Sequence, residues 1–212
     1  MIKTKRLVLI NQLILAGFFI GFNKSYYFCN EILFAMKHPF EQFLFCPKCG
    51  SNNFKIATEK SKLCNKCGFH YFFNPSAAVV GLIMNEKDEL LVCRRAKEPA
   101  KGTLDIAGGF VDCYETAEEA VIREIKEETE LDVTNLEYLF SLPNIYPFSG
   151  FEVHTVDLFF RCKVRDTNQP KAQDDVDYCK FIPINEVNIE DFGLKSIREG
   201  VAKFIAQYKN LH

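Results

Sequence analysis

The sequence predicts an α/β protein: a sandwich built on a mixed sheet, preceded by a small cysteine-rich module. Strand-like apolar runs and two amphipathic helical segments follow residue 76, two C-x-x-C pairs lie within residues 43–74, and Pro75 marks the boundary. With 212 residues, of which 48% are hydrophobic, the chain can fill one good core and a small additional module. We therefore divide it into an N-terminal extension (1–35), a cysteine module (36–75) and a main domain (76–212).

The N-terminal extension admits three interpretations. Lys3, Lys5 and Arg6 precede a largely apolar run from Leu7 to Phe22, which suits a signal peptide or a membrane-associated segment. The run is shorter than the roughly 20 apolar residues that a membrane span needs, and no small-residue cleavage site follows it. A second interpretation is that the extension forms a helix packed on the protein. The third is that it is dispensable and that the natural start is Met36. We favour the last interpretation.

The composition argues against several classes of protein. A net charge of -2 gives no support for a general nucleic-acid or membrane-surface binder, which would carry an excess of basic residues. The cysteines number nine, an odd total that includes two clustered pairs, and this argues against a secreted disulfide framework. The cysteine pattern indicates a metal site in a reducing compartment, for which the cytoplasm is the best candidate.

The clustered pairs are Cys46 with Cys49 and Cys64 with Cys67, and a glycine directly follows each pair. Two such knuckles together offer four thiolates in the closed tetrahedral geometry of structural zinc. A redox pair or chance spacing would explain one C-x-x-C pair better than two matched ones. We therefore predict a zinc ribbon that holds a structural Zn²⁺. Nucleic-acid contact by the ribbon is a weaker alternative, because only a few lysines accompany the knuckles.

Short apolar runs bounded by turn residues predict five strands in the main domain, at 77–84, 89–95, 136–142, 154–164 and 177–184. An Asn-Glu-Lys-Asp turn joins the first two strands into a predicted hairpin. The Gly- and Pro-rich segment 97–110 is predicted to be a loop. Thr116 and Glu119 have the spacing of a capping box and predict the start of a helix. The apolar spacing of 194–210 predicts a second, amphipathic helix.

The first predicted helix concentrates carboxylates on one face. Glu124 and Glu128 are four residues apart, and Glu127 flanks them. Like charges at this spacing each destabilise a helix by roughly 0.2–0.5 kcal/mol. A solvated acidic surface is the simplest explanation of such a run, but a hard divalent cation would also resolve the repulsion, since Mg²⁺ prefers carboxylate oxygens.

The residues around these carboxylates favour the cation. Five residues separate Gly109 from Glu115, seven more precede Arg123, and the segment Glu124-Ile125-Lys126-Glu127-Glu128-Thr129-Glu130-Leu131 follows. This pattern resembles the Nudix box, G-x5-E-x7-R-E-U-x-E-E-x-G-U with U aliphatic. The fixed positions match except the final glycine, where this chain has Glu130. The chain is therefore identified as a member of the Nudix family.

The resemblance implies a Nudix-type α/β/α sandwich that cleaves a nucleoside diphosphate linked to another group. It implies that Glu124 and Glu128 bind Mg²⁺ or Mn²⁺, and that Glu127 is a further ligand or acts on the attacking water. The carbonyl of Gly108 corresponds to a backbone metal ligand in the family. Arg123 and Glu115 are expected to pair and to brace the loop against the helix.

The final glycine of the box normally ends the helix with a positive φ, which costs glycine little. Glu130 must therefore adopt a strained left-handed conformation or let the helix end differently. We expect the second outcome, an altered helix exit, with activity retained.

The order of a zinc ribbon and a Nudix domain resembles that of the NADH pyrophosphatases, whose S-Q-P-W-P-F-P-x-S motif follows the box. The corresponding segment here is Ser-Leu-Pro-Asn-Ile-Tyr-Pro-Phe-Ser, which matches the motif in part and is otherwise explained as a proline-rich loop. The resemblance implies substrate contacts at Ser141, Asn144, Tyr146 and Ser149. A further metal carboxylate of that family is not cleanly matched, and Asp175 and Asp177 are its candidates.

These features predict Mg²⁺-dependent hydrolysis of the pyrophosphate linkage of a dinucleotide or nucleotide-sugar, such as NAD(H) or ADP-ribose. The alternatives are a house-cleaning hydrolase of nucleoside triphosphates and a non-catalytic, Nudix-like nucleotide sensor. The expected partner is a small nucleotide. No stable nucleic-acid partner is expected, no membrane is expected unless the extension is real, and a homodimer is left open.

Overall fold

The computed structural model describes residues 41–167 and 170–210. The three interpretations of the extension concern residues 1–35, which lie outside the described residues. The chain divides into two compact units, of which the first ends at Tyr71 and the second begins at Phe72. Within the described ranges, no helix is long and apolar enough to cross a membrane.

The first unit contains a three-stranded sheet in the order β1-β2-β3. Its strands are β1 (Phe54–Thr58), β2 (Ser61–Cys64) and β3 (His70–Phe72). Among the described residues, the buried apolar cluster around this sheet consists of Cys46, Phe54 and Cys64, with Phe69 and Tyr71 packed against it. Two of the four clustered cysteines therefore belong to this small core.

In its described residues, the second unit contains seven strands, two α-helices and a short 3-10 helix at Ile189–Asp191. The strands are β4 (Ser76–Ile83), β5 (Glu89–Arg95), β6 (Leu104–Asp105), β7 (Gly108–Phe110), β8 (Val133–Phe148), β9 (Phe151–Val164) and β10 (Val176–Pro183). The helices are α1 (Ala117–Thr129) and α2 (Lys195–Lys209). One sheet has the order β7-β4-β9-β8 and the other has the order β10-β5-β6. Because β4 pairs with β9 in parallel while its pairing with β7 is antiparallel, the predicted mixed sheet is confirmed.

The two helices cover opposite faces of the strands. Val79 and Ile83 of β4 lie in a buried cluster with Val121 and other apolar residues of α1. Val80 and Leu82 of the same strand lie in a second cluster, with Phe204 and other apolar residues of α2. Since successive side chains of a strand point to opposite faces, β4 contributes to both cores. The α/β sandwich class predicted from the sequence is confirmed.

The predicted hairpin of the first two strands is wrong. β4 and β5 form where the apolar runs predicted them, but they belong to different sheets, and only an isolated bridge between Met84 and Leu90 joins them. β4 is central and pairs with β7 and β9, whereas β5 pairs with β6 and β10. A strand that is buried on both faces needs partners on both edges, and these came from distant parts of the chain.

The segment 141–149, for which a proline-rich loop was the alternative interpretation, lies in a long strand up to Phe148. β8 pairs with β9 from Val133 to Phe148, with register shifts between Val133 and Asn135 and between Tyr138 and Phe140. A tight turn at Ser149 and Gly150, both with positive φ, connects the two strands. Positive φ at both central positions is the geometry of a type I′ hairpin turn. Pro143 and Pro147 are tolerated because β8 lies at the edge of its sheet.

The segment 97–110 is also not a continuous loop, because it contains β6 and β7. Gly108 pairs with Val80 and Gly109 pairs with Val79. A side chain on Gly108 would collide with the backbone carbonyl of Val79, so the strand can approach β4 this closely only with glycine there. This approach places β7 directly beside the helix that follows it in the chain.

Candidate active site

Helix α1 begins with the predicted capping box. The Thr116 hydroxyl accepts a hydrogen bond from the Glu119 amide at 3.1 Å, and the Thr116 amide donates to the Glu119 carboxylate at 2.9 Å. These contacts satisfy amides at the helix N-terminus that have no partner within the helix. The buried apolar face then fixes the rotation of α1, so that its carboxylates face a cavity between the sheets.

This cavity has a volume of about 500 Å³, which is typical of a small-molecule site. Glu124, Glu127 and Glu128 all lie on its wall, together with Arg123, Gly108 and Gly109. The structure therefore brings together the residues that the sequence predicted for the metal site. Glu115 stands behind them, in contact with Arg123.

Glu128 is the most deeply placed of the three carboxylates, with 6% of its surface exposed. The Gly108 amide donates a hydrogen bond to it at 3.0 Å. Burial raises its pKa to about 9, against the lowering effect of that hydrogen bond, and the charges of Asp105 and Glu124 raise it further. Without a cation, Glu128 therefore carries a proton at neutral pH.

Glu124 lies directly against the backbone of β7. A methyl group on Gly109 would be 2.6 Å from its carboxyl carbon and 2.8 Å from Oε2. Burial raises the pKa of Glu124, although Arg123, which donates to it at 2.8 Å, acts in the opposite direction. The glycine thus makes room for the Glu124 carboxylate, whose side chain is only 15% exposed.

Arg123 ties the loop before α1 to the carboxylates. Its Nε and Nη2 donate to the two oxygens of Glu115 at 2.8 and 2.9 Å, a bidentate pair. Nη1 donates to Glu124 and, at 3.1 Å, to Glu127, while Nη2 also donates to the Phe110 carbonyl. Hydrogen bonding to Arg123 lowers the pKa of Glu115, in contrast to the buried carboxyls. The pairing of Arg123 with Glu115 that the resemblance implied is present. Arg123 also holds Glu124 in place, in addition to the loop before the helix.

The exit of α1 differs from our expectation. Glu130 has φ 59° and ψ 7°, the left-handed conformation, and its amide donates to the Lys126 carbonyl. The helix therefore ends as it would with glycine, and the expected altered exit is wrong. The Glu130 carboxylate accepts hydrogen bonds from Lys171 and Gln173, which accounts for a side chain in this conformation.

Of the two candidates for a further metal carboxylate, the structure places one at the cavity. Asp175 and its neighbour Asp174 lie on the cavity wall. Asp177 pairs instead with Arg94 at 2.7 Å, with both side chains nearly half exposed. Asp175 is close enough to Glu128 for its charge to raise the pKa of that carboxyl.

Aromatic residues also line the cavity. Tyr146 stacks on Phe148 with ring centroids 6.4 Å apart and meets Phe110 edge-on at 5.9 Å. Asn144 lies on the same wall, so two of the four predicted substrate contacts are at the cavity. Ser141 is an exposed residue of β8 and Ser149 lies in the hairpin turn, and neither lines the cavity. Successive side chains of a strand point to opposite faces, so the even-numbered residues of β8 at Asn144 and Tyr146 face the cavity and the odd-numbered Ser141 does not.

Sequence reasoning missed a buried polar group on this wall. Arg95 pairs with Asp105 across the sheet, and its Nη2 contacts the Tyr146 hydroxyl at 3.2 Å. Asp157, which is 4% exposed, accepts a hydrogen bond from Thr155. The sequence did contain a signal, because Asp157 lies within a largely apolar strand. A charged residue is rarely buried without a partner or a role.

The four clustered cysteines form a compact group in the first unit. Their sulfur atoms all lie within 4.8 Å of one another, with Cys46 and Cys67 3.8 Å apart and Cys49 and Cys64 3.7 Å apart. Zn–S bonds of about 2.3 Å in a tetrahedron require S–S edges of about 3.8 Å, so the geometry fits zinc. The Gly50 and Gly68 amides donate to the carbonyls of Cys46 and Cys64, and both glycines have positive φ. These are the tight knuckles that the C-x-x-C-G spacing predicted.

Comparison with known proteins supports the sequence pattern. The family model described as NUDIX domain matches residues 74–208. An ADP-ribose pyrophosphatase of Methanocaldococcus jannaschii is 38% identical over 122 residues, which are 56% of this chain and 68% of that protein. The NAD-capped RNA hydrolase NudC of Vibrio vulnificus is 31% identical over 113 residues, 53% of this chain and 42% of that protein. The chain thus aligns with less than half of the length of NudC.

A solved structure shows the same fold. The crystal structure of a NUDIX hydrolase from Nitrosomonas europaea superposes with a TM-score of 0.62 at 21% identity. The superposition covers 78% of this chain and 92% of that one.

Proposed function

We propose that this chain, which belongs to the Nudix family, hydrolyses the pyrophosphate linkage of a nucleoside diphosphate derivative such as ADP-ribose or NAD(H). The observation that carries the proposal is the convergence of Glu124, Glu127 and Glu128 on a cavity that Phe110, Tyr146 and Phe148 also line. The carboxylates suit a divalent cation with a diphosphate, and the aromatic rings suit a base.

Glu124 and Glu128 are the proposed ligands of Mg²⁺ or Mn²⁺, with the Gly108 carbonyl as a backbone ligand. When bound, the cation neutralises charge on the pyrophosphate oxygens and helps to generate hydroxide from water. Glu127 has about half of its side chain exposed. It is therefore the carboxylate best placed to bind or deprotonate the attacking water, or to serve as a further ligand. Asp175 is the candidate for the additional acidic ligand.

Arg123 and Glu115 have a positioning role. The guanidinium group holds Glu124 by one of its nitrogens and the preceding loop by the others. Catalysis of this kind depends on position and charge more than on covalent chemistry, so a rigid helix that carries all the carboxylates is well suited to it.

The nucleoside end of the substrate is proposed to lie against Phe110, Tyr146 and Phe148, with Asn144 within reach. Aromatic rings stack on a base without a strict requirement for its identity, and Asn144 can both donate and accept hydrogen bonds. The names of the relatives support a substrate with an ADP or NAD moiety. A nucleoside triphosphate is the alternative substrate.

The cysteine cluster is proposed to bind one structural Zn²⁺. Four thiolates complete the tetrahedron and leave no position for water, so the ion would stabilise the small first unit and would not take part in hydrolysis. The cytoplasm is the proposed compartment, because the cysteine pattern indicates a metal site and not a disulfide framework.

One substrate panel tests the proposal. The wild-type protein is assayed with Mg²⁺ on NADH, NAD, ADP-ribose, nucleotide-sugars and nucleoside triphosphates, beside Glu128→Gln and the matched control Glu118→Gln. Glu118 lies on the same helix but is exposed and does not line the cavity. We expect AMP release from ADP-ribose or NADH, lost in Glu128→Gln and kept in Glu118→Gln.

Two other results would change the conclusion. Undiminished activity of Glu128→Gln would refute the metal assignment. If wild-type protein released neither AMP from NADH or ADP-ribose nor pyrophosphate from any triphosphate, the nucleotide-sensor function would replace the enzymatic one.

A further inference from the structure

The end of helix α1 is built around Glu130, where the box pattern has glycine. An acidic side chain there is unfavourable in two respects, because the left-handed conformation disfavours a Cβ and the helix C-terminus repels negative charge. A residue that opposes both preferences needs compensating contacts, and these contacts point to its role.

The Glu130 carboxylate makes its contacts with one short segment, residues 171–173. Oε2 accepts from Lys171 Nζ at 2.8 Å, and Oε1 accepts from Gln173 Nε2 at 3.0 Å. The backbone of the same segment donates to the end of the helix, from Lys171 to the Thr129 carbonyl and from Gln173 to the Glu128 carbonyl, both at 3.0 Å. Glu130 thus adds two side-chain contacts to a backbone junction with the helix that carries Glu128.

The segment leads directly to the cavity. Asp174 and Asp175 follow it and lie on the cavity wall, on the side of Glu128. Beyond them, the Asp175 carbonyl accepts from the Ala96 amide at 2.8 Å, and Lys97 pairs with both carboxylates. The two aspartates are therefore held between the end of α1 and the end of β5. Glu130 supplies the side-chain contacts at the end of α1.

We propose that Glu130 is a positioning residue: through Lys171 and Gln173 it holds Asp174 and Asp175 at the cavity and so raises the affinity for a divalent cation. This inference rests on the proposed function, because it assumes that the cavity binds a cation. With glycine at this position the helix would end in the same way, but the 171–173 segment would lose both side-chain contacts.

The test measures Mn²⁺ binding to the full chain by electron paramagnetic resonance, without substrate. Glu130→Gly is compared with Lys126→Met, a control at the same helix end. Lys126 contacts the Glu130 carbonyl and Asp132 and makes no hydrogen bond to residues 171–175. We expect Glu130→Gly to raise the Mn²⁺ Kd by about threefold to tenfold, at or below the low end of the range for outer-shell partners of metal ligands. Lys126→Met should leave it within twofold.

Two further variants separate positioning from general stability. Glu130→Gln keeps one carbonyl oxygen to accept from Lys171 and should recover part of the affinity. In an Asp174→Asn/Asp175→Asn background, Glu130→Gly should have no further effect on Kd, because the groups that it positions are gone.

The outcomes distinguish this inference from the proposed function. If the wild-type protein binds Mn²⁺ and Glu130→Gly binds it equally well, or if its effect persists undiminished in the double-Asn background, the positioning role is wrong. If the wild-type protein binds no Mn²⁺, the proposed metal site itself fails.

Discussion

Replacing Gly109 with alanine tests the active-site geometry with a single methyl group. Gly109 is in strand β7 and does not have a positive φ, so alanine can adopt its backbone conformation. The new methyl would lie 2.6 Å from the carboxyl carbon of Glu124, whereas ordinary contacts begin at 3.4 Å. The carboxylate, at the end of a flexible side chain, must therefore move by roughly 1 Å while the fold is kept.

A displacement of this size exceeds what the metal site tolerates. Ligand distances in metal sites vary by about 0.2 Å, and Mg²⁺ requires near-ideal octahedral geometry. A misplacement of about 1 Å can cost about 100-fold in rate, which corresponds to about 2.7 kcal/mol of transition-state stabilisation. We therefore expect Gly109→Ala to lower kcat/KM for the substrate found in the panel by about 100-fold, with a Tm close to that of the wild type.

The neighbouring glycine provides the contrast. A methyl on Gly108 would meet the backbone carbonyl of Val79, which cannot move without breaking the pairing of β4 with β7. Gly108→Ala should therefore lower the Tm as well as the activity. If Gly109→Ala keeps more than a third of wild-type kcat/KM and binds Mn²⁺ normally, Glu124 is not a ligand held in the position described, and the reasoning is refuted.

Three further predictions concern charge and metal. Arg123→Ala should lower the free energy of unfolding by about 2 kcal/mol in denaturant titrations, because it leaves Glu115 and Glu124 without a cation; Arg123→Lys should recover only part, since lysine cannot form the bidentate pair. In the metal-free protein, Glu128 destabilises the fold increasingly as the pH rises from about 4.5 to about 9, because the folded state holds a proton that the unfolded state has lost. At the proposed site Mn²⁺ would replace that proton, so the increase in Tm on adding Mn²⁺ should be larger at about pH 8.5 than at about pH 6. An equal increase would contradict the assignment. Metal analysis should find one zinc per chain, which Cys64→Ser removes; full zinc content in that variant would exclude the four-cysteine site.

The parts of the site that the sequence predicted are those fixed by short-range geometry. A helix brings positions four apart onto one face, so Glu124 and Glu128 had to lie together once the capping box at Thr116 defined the helix. The C-x-x-C-G spacing likewise determines a knuckle within a few residues, wherever the knuckle lies in the fold.

The parts that were missed depend on contacts between distant residues. Arg95 and Asp105 are on neighbouring strands, but Asp105 is in a segment whose Gly and Pro content indicated a loop. The turn between β4 and β5 is compatible with a hairpin, and only the competition of β7 and β9 for the edges of β4 separates the two strands. Glu130 was misjudged for the same reason, because the partners that compensate its backbone conformation, Lys171 and Gln173, are about forty residues away.

The burial of Glu128 connects the fold to the proposed chemistry. A carboxyl that is held protonated at neutral pH stabilises nothing by its charge, and an apolar residue at this position would fill the space at lower cost. Arg123 cannot neutralise it, because all of its hydrogen bonds go to Glu115, Glu124, Glu127 and the Phe110 carbonyl. A divalent cation at the proposed site could, since it would displace the proton and bind Glu128 together with Glu124. The raised pKa is therefore better explained as the cost of an ion site than as a feature of the core, and the pH dependence of Mn²⁺ stabilisation is the measurement that separates these two explanations.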